Sequence, residues 1–297
     1  MRKGDNLIKK VAILGLGLMG GSLAAALKKV KSTINVVGYA RRLETRKKAI
    51  KMGIVDEVFD KAEEAAKGAD VVVVCVPVMA IPSLINSIKN SVGEKTVITD
   101  VGSTKKWLIA ETRKLVPHLK DRIVGSHPIA GSEQTGIESA KANLYEGAVV
   151  VITKDTIVSP FALKQVSSLW EMVGAKVKFL GPGEHDKIIG LTSHLPHIVS
   201  SLLADVIFND KNLLKDKIKN ISLFCGKGVR DTTRIAAGDV EMWHDIIKTN
   251  RMNILFSIER FMNALAIMRT AIKKDDALLI KKILDRGRKG RKKIGKD

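Results

Sequence analysis

Two segments of this chain carry residue types that could do chemistry together. Gly15-Leu16-Gly17-Leu18-Met19-Gly20 has the spacing of a dinucleotide-binding turn, and Gly125-Ser126-His127-Pro128-Ile129-Ala130-Gly131-Ser132-Glu133 sets an imidazole at the exit of a short β-branched run. A neutral imidazole with a reference pKa of about 6.5 accepts a proton near neutral pH. A bound nicotinamide would accept a hydride, so the pair of segments points to oxidation of an alcohol.

The glycine turn has the context that its chemistry requires. Val11-Ala12-Ile13-Leu14 before it reads as a buried strand, and the apolar spacing over 19–30 after it as a helix. Gly15 permits a tight turn, Gly17 lets the backbone approach a pyrophosphate, and Gly20 allows close packing of helix on strand. Leu16, Leu18 and Met19 complete the turn. At the end of the second predicted strand, where an acidic residue would bind the adenosine 2′-hydroxyl, stands Ala40 followed by Arg41 and Arg42. Without a carboxylate nothing repels a 2′-phosphate, and two guanidiniums can pair with it. This favours NADP, with NAD as the alternative if both arginines are simply solvated.

Further strands are predicted at 34–39, 71–76, 96–99, 123–124, 148–153 and 176–180, with helices near 44–52, 79–91, 105–117 and 160–173. The alternation implies a Rossmann-type, doubly wound α/β fold with a mainly parallel sheet, and the unbroken valines of 71–76 imply helices on both of its faces. Ligands of such sheets collect at the carboxyl ends of the strands. Val76 and Pro77 at the third strand's tip, and Asp100-Val101-Gly102-Ser103 at the fourth's, should therefore border the cleft. Ser103 is either an ordinary helix cap or a hydrogen-bonding partner of His127 or the nicotinamide. After Gly181-Pro182-Gly183 the strand pattern ends and helical spacing runs to 283. The expected division is residues 1–182 as the dinucleotide-binding domain and 183–297 as an all-helical domain, whose long apolar faces suggest dimerisation.

Composition excludes several classes. With 297 residues, 45% hydrophobic, the chain can bury a sizeable core. Two cysteines, Cys75 and Cys225, are too few for a secreted disulfide framework, and no His, Asp or Glu cluster requires a metal. The basic start Met1-Arg2-Lys3 superficially resembles a secretory leader, but glycines interrupt the apolar run that follows. No stretch of roughly 18 apolar residues is evident, so a soluble cytoplasmic protein without membrane insertion is expected. Of the net charge of +20, residues 273–297 contribute 11 Lys and Arg against 4 Asp. That tail has no aromatic residue to stack a base, so it reads as a solvated face and not as a specific nucleic-acid site.

Several segments converge on one family. The glycine turn, Asp100-Val101-Gly102-Ser103, the His127 segment, Ser193-His194-Leu195-Pro196-His197 and Arg230-Asp231-Thr232-Thr233-Arg234-Ile235-Ala236 closely resemble prephenate and arogenate dehydrogenases, in order and spacing across nearly the whole chain. The resemblance implies oxidative decarboxylation of a cyclohexadienyl acid, prephenate yielding 4-hydroxyphenylpyruvate. It assigns His127 the proton of the 4-hydroxyl, Ser103 the orientation of imidazole and nicotinamide, and Arg234 the ring carboxylate. His197 would contact the substrate side chain, with His194 and Ser126 lining the same pocket. Glu133 either pairs with a basic group at the cleft entrance or is a solvated loop carboxylate. Trp243 reads as a core or interface aromatic, and His118, His185 and His244 have no evident catalytic context. The second histidine of the Ser193–His197 segment favours prephenate over arogenate. The length leaves room for neither a fused chorismate mutase nor a regulatory domain. Two rivals lack support in these residues: a β-hydroxyacid dehydrogenase needs a helical-domain lysine signature without a match here, and a nucleotide-sensing binding protein would leave His127 idle.

Overall fold

The computed structural model describes residues 8–30, 33–131, 134–209 and 221–294. Six parallel strands form the main sheet: β1 (Lys10–Leu14), β2 (Asn35–Tyr39), β3 (Glu57–Phe59), β4 (Val71–Val74), β5 (Val97–Asp100) and β6 (Ile123–Val124), in the spatial order β3-β2-β1-β4-β5-β6. The register sets Ala12 of β1 beside Val37 of β2 and Val72 of β4. This order reverses direction between β1 and β4, and the crevice at such a switch point is where dinucleotides bind.

Strand alternation explains why the strands are apolar throughout. Val11 and Ile13 face one core with Leu23, Leu27 and Trp170, whereas Ala12 and Leu14 face a second core with Ile81, Ile85 and Leu108. The first core lies under α1 (Leu18–Val30), and the second under α3 (Ala62–Ala66), α4 (Ile81–Ile88) and α5 (Lys106–Leu115); α2 (Leu43–Lys51) joins β2 to β3. Helices therefore cover both faces, as the valine run implied. The short, partly exposed edge strand β3 has no counterpart among the sequence-predicted strands, because three residues give too little alternation to be legible.

The later strands do not extend this sheet. Gly125 ends β6, and the chain resumes as β7 (Ser126–Pro128), which pairs antiparallel with β8 (Val149–Thr153), itself parallel to β9 (Lys176–Leu180). His127 is thus inside a strand, opposite Val151, and not beyond one. A side chain at Gly125 would place its Cβ 2.8 Å from Thr153 Oγ1 and 3.0 Å from both Ile109 and Lys105. Those side chains would have to shift to admit any larger residue where the two sheets meet. The helix α6 (Pro160–Met172), capped by Ser159 Oγ accepting from the Ala162 amide, links β8 to β9.

From Pro182 onward the described residues contain no strand. A continuous helix of 28 residues, Pro182–Asn209, comprises α7 (Pro182–Ile189), a π-helical turn over Gly190–His194, and α8 (Leu195–Asn209). Its mean hydropathy reaches 1.3 over an 18-residue window, so by length and composition alone it could cross a membrane. Its polar residues His185, Asp186, His194 and His197 are nevertheless buried within the protein. Shorter helices at Lys227–Thr233 and Val240–Thr249 follow. Residues 1–251 make one compact unit, and residues 252–297 make another, built on the long helix Arg251–Lys273 and the basic helix Ala277–Arg291.

Candidate active site

The glycine turn closes the top of β1. Gly15 has φ +109°, and a Cβ there would lie 2.4 Å from the Cys75 carbonyl oxygen and 2.9 Å from Val76, so β4's end leaves no space for another residue. Gly20 is equally constrained, since a Cβ would sit against the Gly15 carbonyl at 1.9 Å. Gly17 alone faces open space, with no atom within 4 Å of its virtual Cβ. One glycine makes the turn, one packs the helix, and one leaves its backbone bare where a pyrophosphate would meet the start of α1. Leu16 turns inward against Gly38, where its side chain locks the turn to β2, while Leu18 and Met19 are partly exposed. Tyr145, fully buried, donates from its hydroxyl to the Met19 carbonyl at 2.7 Å and steadies the turn from behind.

At the tip of β2, Ala40 is buried and Arg41 and Arg42 are exposed. Arg46 is a neighbour that the sequence reading missed. Its guanidinium donates to the carbonyls of Ala40 at 2.9 Å and Arg41 at 2.8 Å, and approaches Asp60 at 3.8 Å. Val76 is partly exposed and Pro77 exposed at the tip of β4. These residues fit a dinucleotide: the turn, the bare Gly17 backbone and the basic β2 tip supply contacts for pyrophosphate and ribose.

Under the cleft lies a buried ion pair that sequence gave no reason to expect. Lys105, fully buried, reaches the Asp100 carboxylate, which also accepts the Gly102 amide at 2.7 Å. A buried pair is costly unless its remaining atoms are satisfied. Burial pushes the Asp100 carboxyl up, against the pull of Lys105 and the Gly102 amide. Ser126 corrects another expectation: it has no solvent exposure, and its hydroxyl donates to the Asp100 carbonyl at 2.5 Å, lies 2.9 Å from Thr99 Oγ1 and accepts from Trp170 Nε1 at 3.0 Å. It joins β7 to β5 and is not placed to touch a substrate. Ser103 neither caps α5, whose cap position is Lys105, nor hydrogen-bonds the His127 ring.

The partner of His127 comes instead from α7. His127 Nδ1 lies 2.8 Å from Nε2 of His185, and His185 Nδ1 lies 2.8 Å from Oδ1 of Asp186. The carboxylate accepts the backbone N–H of Lys105 at 2.7 Å and of Lys106 at 2.9 Å, at the start of α5. Asn250 donates to the Asp186 carbonyl at 2.8 Å and lies 3.1 Å from His194 Nδ1. His194 Nε2 is buried and has no hydrogen-bond partner among the described residues. The π-helical turn that ends at His194 is the local widening that swings this ring toward Asn250, and such turns recur at functional sites.

His197 and Trp243 form a second group. Their rings stack, and the His197 ring donates to the Ile235 carbonyl, beside Arg234. The Arg234–Ala237 turn packs along α8, and Gly238 fits tightly against both rings. Arg234 itself is exposed. Trp243, read from the sequence as a core or interface aromatic, is therefore the stacking partner of His197.

Electrostatics keep the histidines neutral. The His127 ring lies deep but retains partial solvent access. Burial pulls its pKa well below the ordinary value, and His185, Lys105 and His194 pull it further. Burial likewise lowers His185, opposed by Asp186, and brings His194 down to about 4. Neutral His127 is an acceptor at physiological pH. Among the described residues no group of three His, Cys, Asp or Glu could hold a metal. Glu133 lies outside the described residues. Sequence could have flagged His185 only through its adjacency to Asp186, a weak sign without the fold.

Comparisons with known proteins follow the same lines. Residues 23–179 match the family described as "Prephenate dehydrogenase, nucleotide-binding domain", and residues 181–286 match "Prephenate dehydrogenase, dimerization domain". The cyclohexadienyl dehydrogenase of Zymomonas mobilis is 31% identical over 271 residues, covering 91% of this chain and 90% of that protein. The prephenate dehydrogenase of Bacillus subtilis is 31% identical over 268 residues, covering 90% and 71%. Among solved structures, the prephenate dehydrogenase of Aquifex aeolicus in complex with hydroxyphenyl propionate and NAD+ superposes with a TM-score of 0.89 at 32% identity, covering 98% of this chain and 100% of that one.

Proposed function

The chain belongs to the prephenate dehydrogenase family, and on that premise we propose how its own residues convert prephenate to 4-hydroxyphenylpyruvate by NAD(P)-dependent oxidative decarboxylation. The observation that carries this reading is His127, an imidazole whose pKa burial holds well below the ordinary value, in a segment whose Gly131 approaches Met19 of the glycine turn. When bound, the nicotinamide supplies the hydride acceptor. His127 Nε2 takes the proton of the 4-hydroxyl as hydride leaves the same carbon, and loss of carbon dioxide makes the ring aromatic. Ser103 contacts that hydroxyl or the nicotinamide. Arg234 binds the ring carboxylate, a planar guanidinium suiting a bidentate pair. His197, held flat on Trp243, contacts the substrate side chain, and His194 Nε2–H is a buried donor for the same pocket.

We further read residues 1–182 as the dinucleotide-binding domain and 183–297 as the substrate and dimerisation domain of a cytoplasmic homodimer. The exposed apolar residues Leu202 and Val206 on α8 support that association. The absence of an acidic residue at the β2 tip, with Arg41 and Arg42 exposed, supports NADP over NAD. The Aquifex relative was solved with NAD+, so NAD is the competing cofactor. Arogenate is the competing substrate.

The test supplies prephenate and arogenate, each with NAD and NADP, and follows reduced cofactor and aromatic product. Turnover with prephenate and NADP as the most efficient combination is expected. No turnover in any of the four would overturn the assignment.

A further inference from the structure

Resting on the reading of His127 as proton acceptor, we propose that His185 and Asp186 are positioning residues: they fix the His127 ring with its hydrogen on Nδ1 and its lone pair on Nε2, and they take over the positive charge that His127 gains in turnover.

The tautomer follows from donor and acceptor types alone. An ionised carboxylate only accepts, so the Asp186 Oδ1 contact at 2.8 Å requires a hydrogen on His185 Nδ1. Neutral His185 then bears its lone pair on Nε2. The 2.8 Å gap to His127 Nδ1 holds one hydrogen, because two N–H groups or two lone pairs facing each other at that distance repel. His127 Nδ1 must therefore be the donor, which leaves Nε2 unprotonated. Water does not compete for the contact on the far side, since His185 has no solvent exposure.

The anchor is fixed independently of both rings. Asp186 receives consecutive backbone N–H groups from Lys105 and Lys106, and Asn250 holds its carbonyl. The start of α5 thus meets the Asp186 carboxylate, while the end of the Val240–Thr249 helix holds the backbone of the same residue on α7. Its orientation is set by backbone, so the imidazole chain inherits a rigid direction.

The same chain can move charge. When Nε2 of His127 gains the hydroxyl proton, the N–H bond at Nδ1 breaks and one forms at His185 Nε2. His127 is again neutral, with its hydrogen on Nε2, and the cation is His185, paired to Asp186 through Nδ1. The groups acting on His127 favour this transfer: Lys105 and His194 oppose a cation there, whereas His185 faces Asp186 directly and Asp100 beyond it. Burial, the largest influence, and Lys105 oppose a cation at His185 as well, and the Asp186 contact acts against both.

The experiment records two-bond 15N–1H correlations of histidine-labelled full-length protein without ligands, His127→Asn serving to assign the His127 ring. We expect a protonated Nδ1 and an unprotonated Nε2 between pH 6 and 8. His185→Phe removes the acceptor and should populate the other tautomer, lowering kcat roughly 10²-fold while the prephenate KM stays within about threefold. His185→Gln can accept the His127 hydrogen but cannot relay it. It should keep the tautomer, restore part of kcat and move the acid limb of the pH profile. A hydrogen on Nε2 of wild-type His127 overturns the proposal, as does a His185→Gln variant with wild-type kcat and pH profile. Should His185→Phe fail to fold, His185→Gln and Asp186→Asn carry the test. The ring spectrum needs no substrate, so an enzyme inactive with prephenate would refute the function without touching the tautomer.

Discussion

His197 lies face to face with Trp243, ring centroids 3.4 Å apart and planes 8° from parallel. The stack joins a helix of the Pro182–Asn209 run to the Val240–Thr249 helix, and the His197 ring is held at its edge by the Ile235 carbonyl next to Arg234. The indole therefore braces the His197 ring. Stacked aromatic pairs contribute about 0.5–1.5 kcal/mol beyond area burial. Trp243→Leu should raise the prephenate KM roughly tenfold, with kcat within about threefold and cofactor affinity unchanged. Steady-state kinetics and cofactor fluorescence titration check this, and an unchanged KM would remove the stack from substrate recognition.

His127→Asn should lower kcat by roughly 10²–10⁴ and leave cofactor binding intact, because asparagine cannot accept the hydroxyl proton. Cofactor titration of the variant separates lost chemistry from lost structure.

The depressed pKa of His127 sets a pH expectation. The acid limb of log(kcat/KM) should fall below pH 6.5, since burial, His185, Lys105 and His194 all disfavour the imidazolium. A limb centred above 6.5 would contradict the observed environment.

Stability should follow pH in the same sense. A histidine whose folded pKa lies below its unfolded value binds fewer protons when folded, so stability is complete above about pH 6.5 and declines as pH falls. For His194, lowered to about 4 and almost fully buried, the loss reaches about 3 kcal/mol by pH 4. Denaturant midpoints of wild type and His194→Asn across pH 4–7 should converge toward low pH. Parallel curves would refute this account.

The glycines separate folding from binding. Gly15→Ala is strained at φ +109° and meets the Cys75 carbonyl, so a lowered midpoint is expected. Gly17→Ala meets nothing in the protein. Its stability should stay within about 0.5 kcal/mol of wild type while dinucleotide affinity drops at least roughly tenfold.

Much of this protein is written locally. The unbroken apolar runs of β1 and β4, buried on both faces, and the glycines at 15, 17 and 20 determine the parallel sheet and its cofactor turn, because each reports a constraint satisfied within a few residues. His127 was legible as an imidazole following a β-branched run, although it lies within β7 and not at a strand's exit. Its partner was not: His185 is 58 positions away, and Asn250 is 64 positions from the Asp186 carbonyl that it holds. Nor did sequence foretell that Ser126 would turn inward, or that β7, β8 and β9 would leave the main sheet. Periodicity tells which face of an element is buried. Which polar atoms meet depends on how distant elements cross, and here only the tertiary structure, by bringing α7 against the start of α5, decided that the His185 ring would meet that of His127.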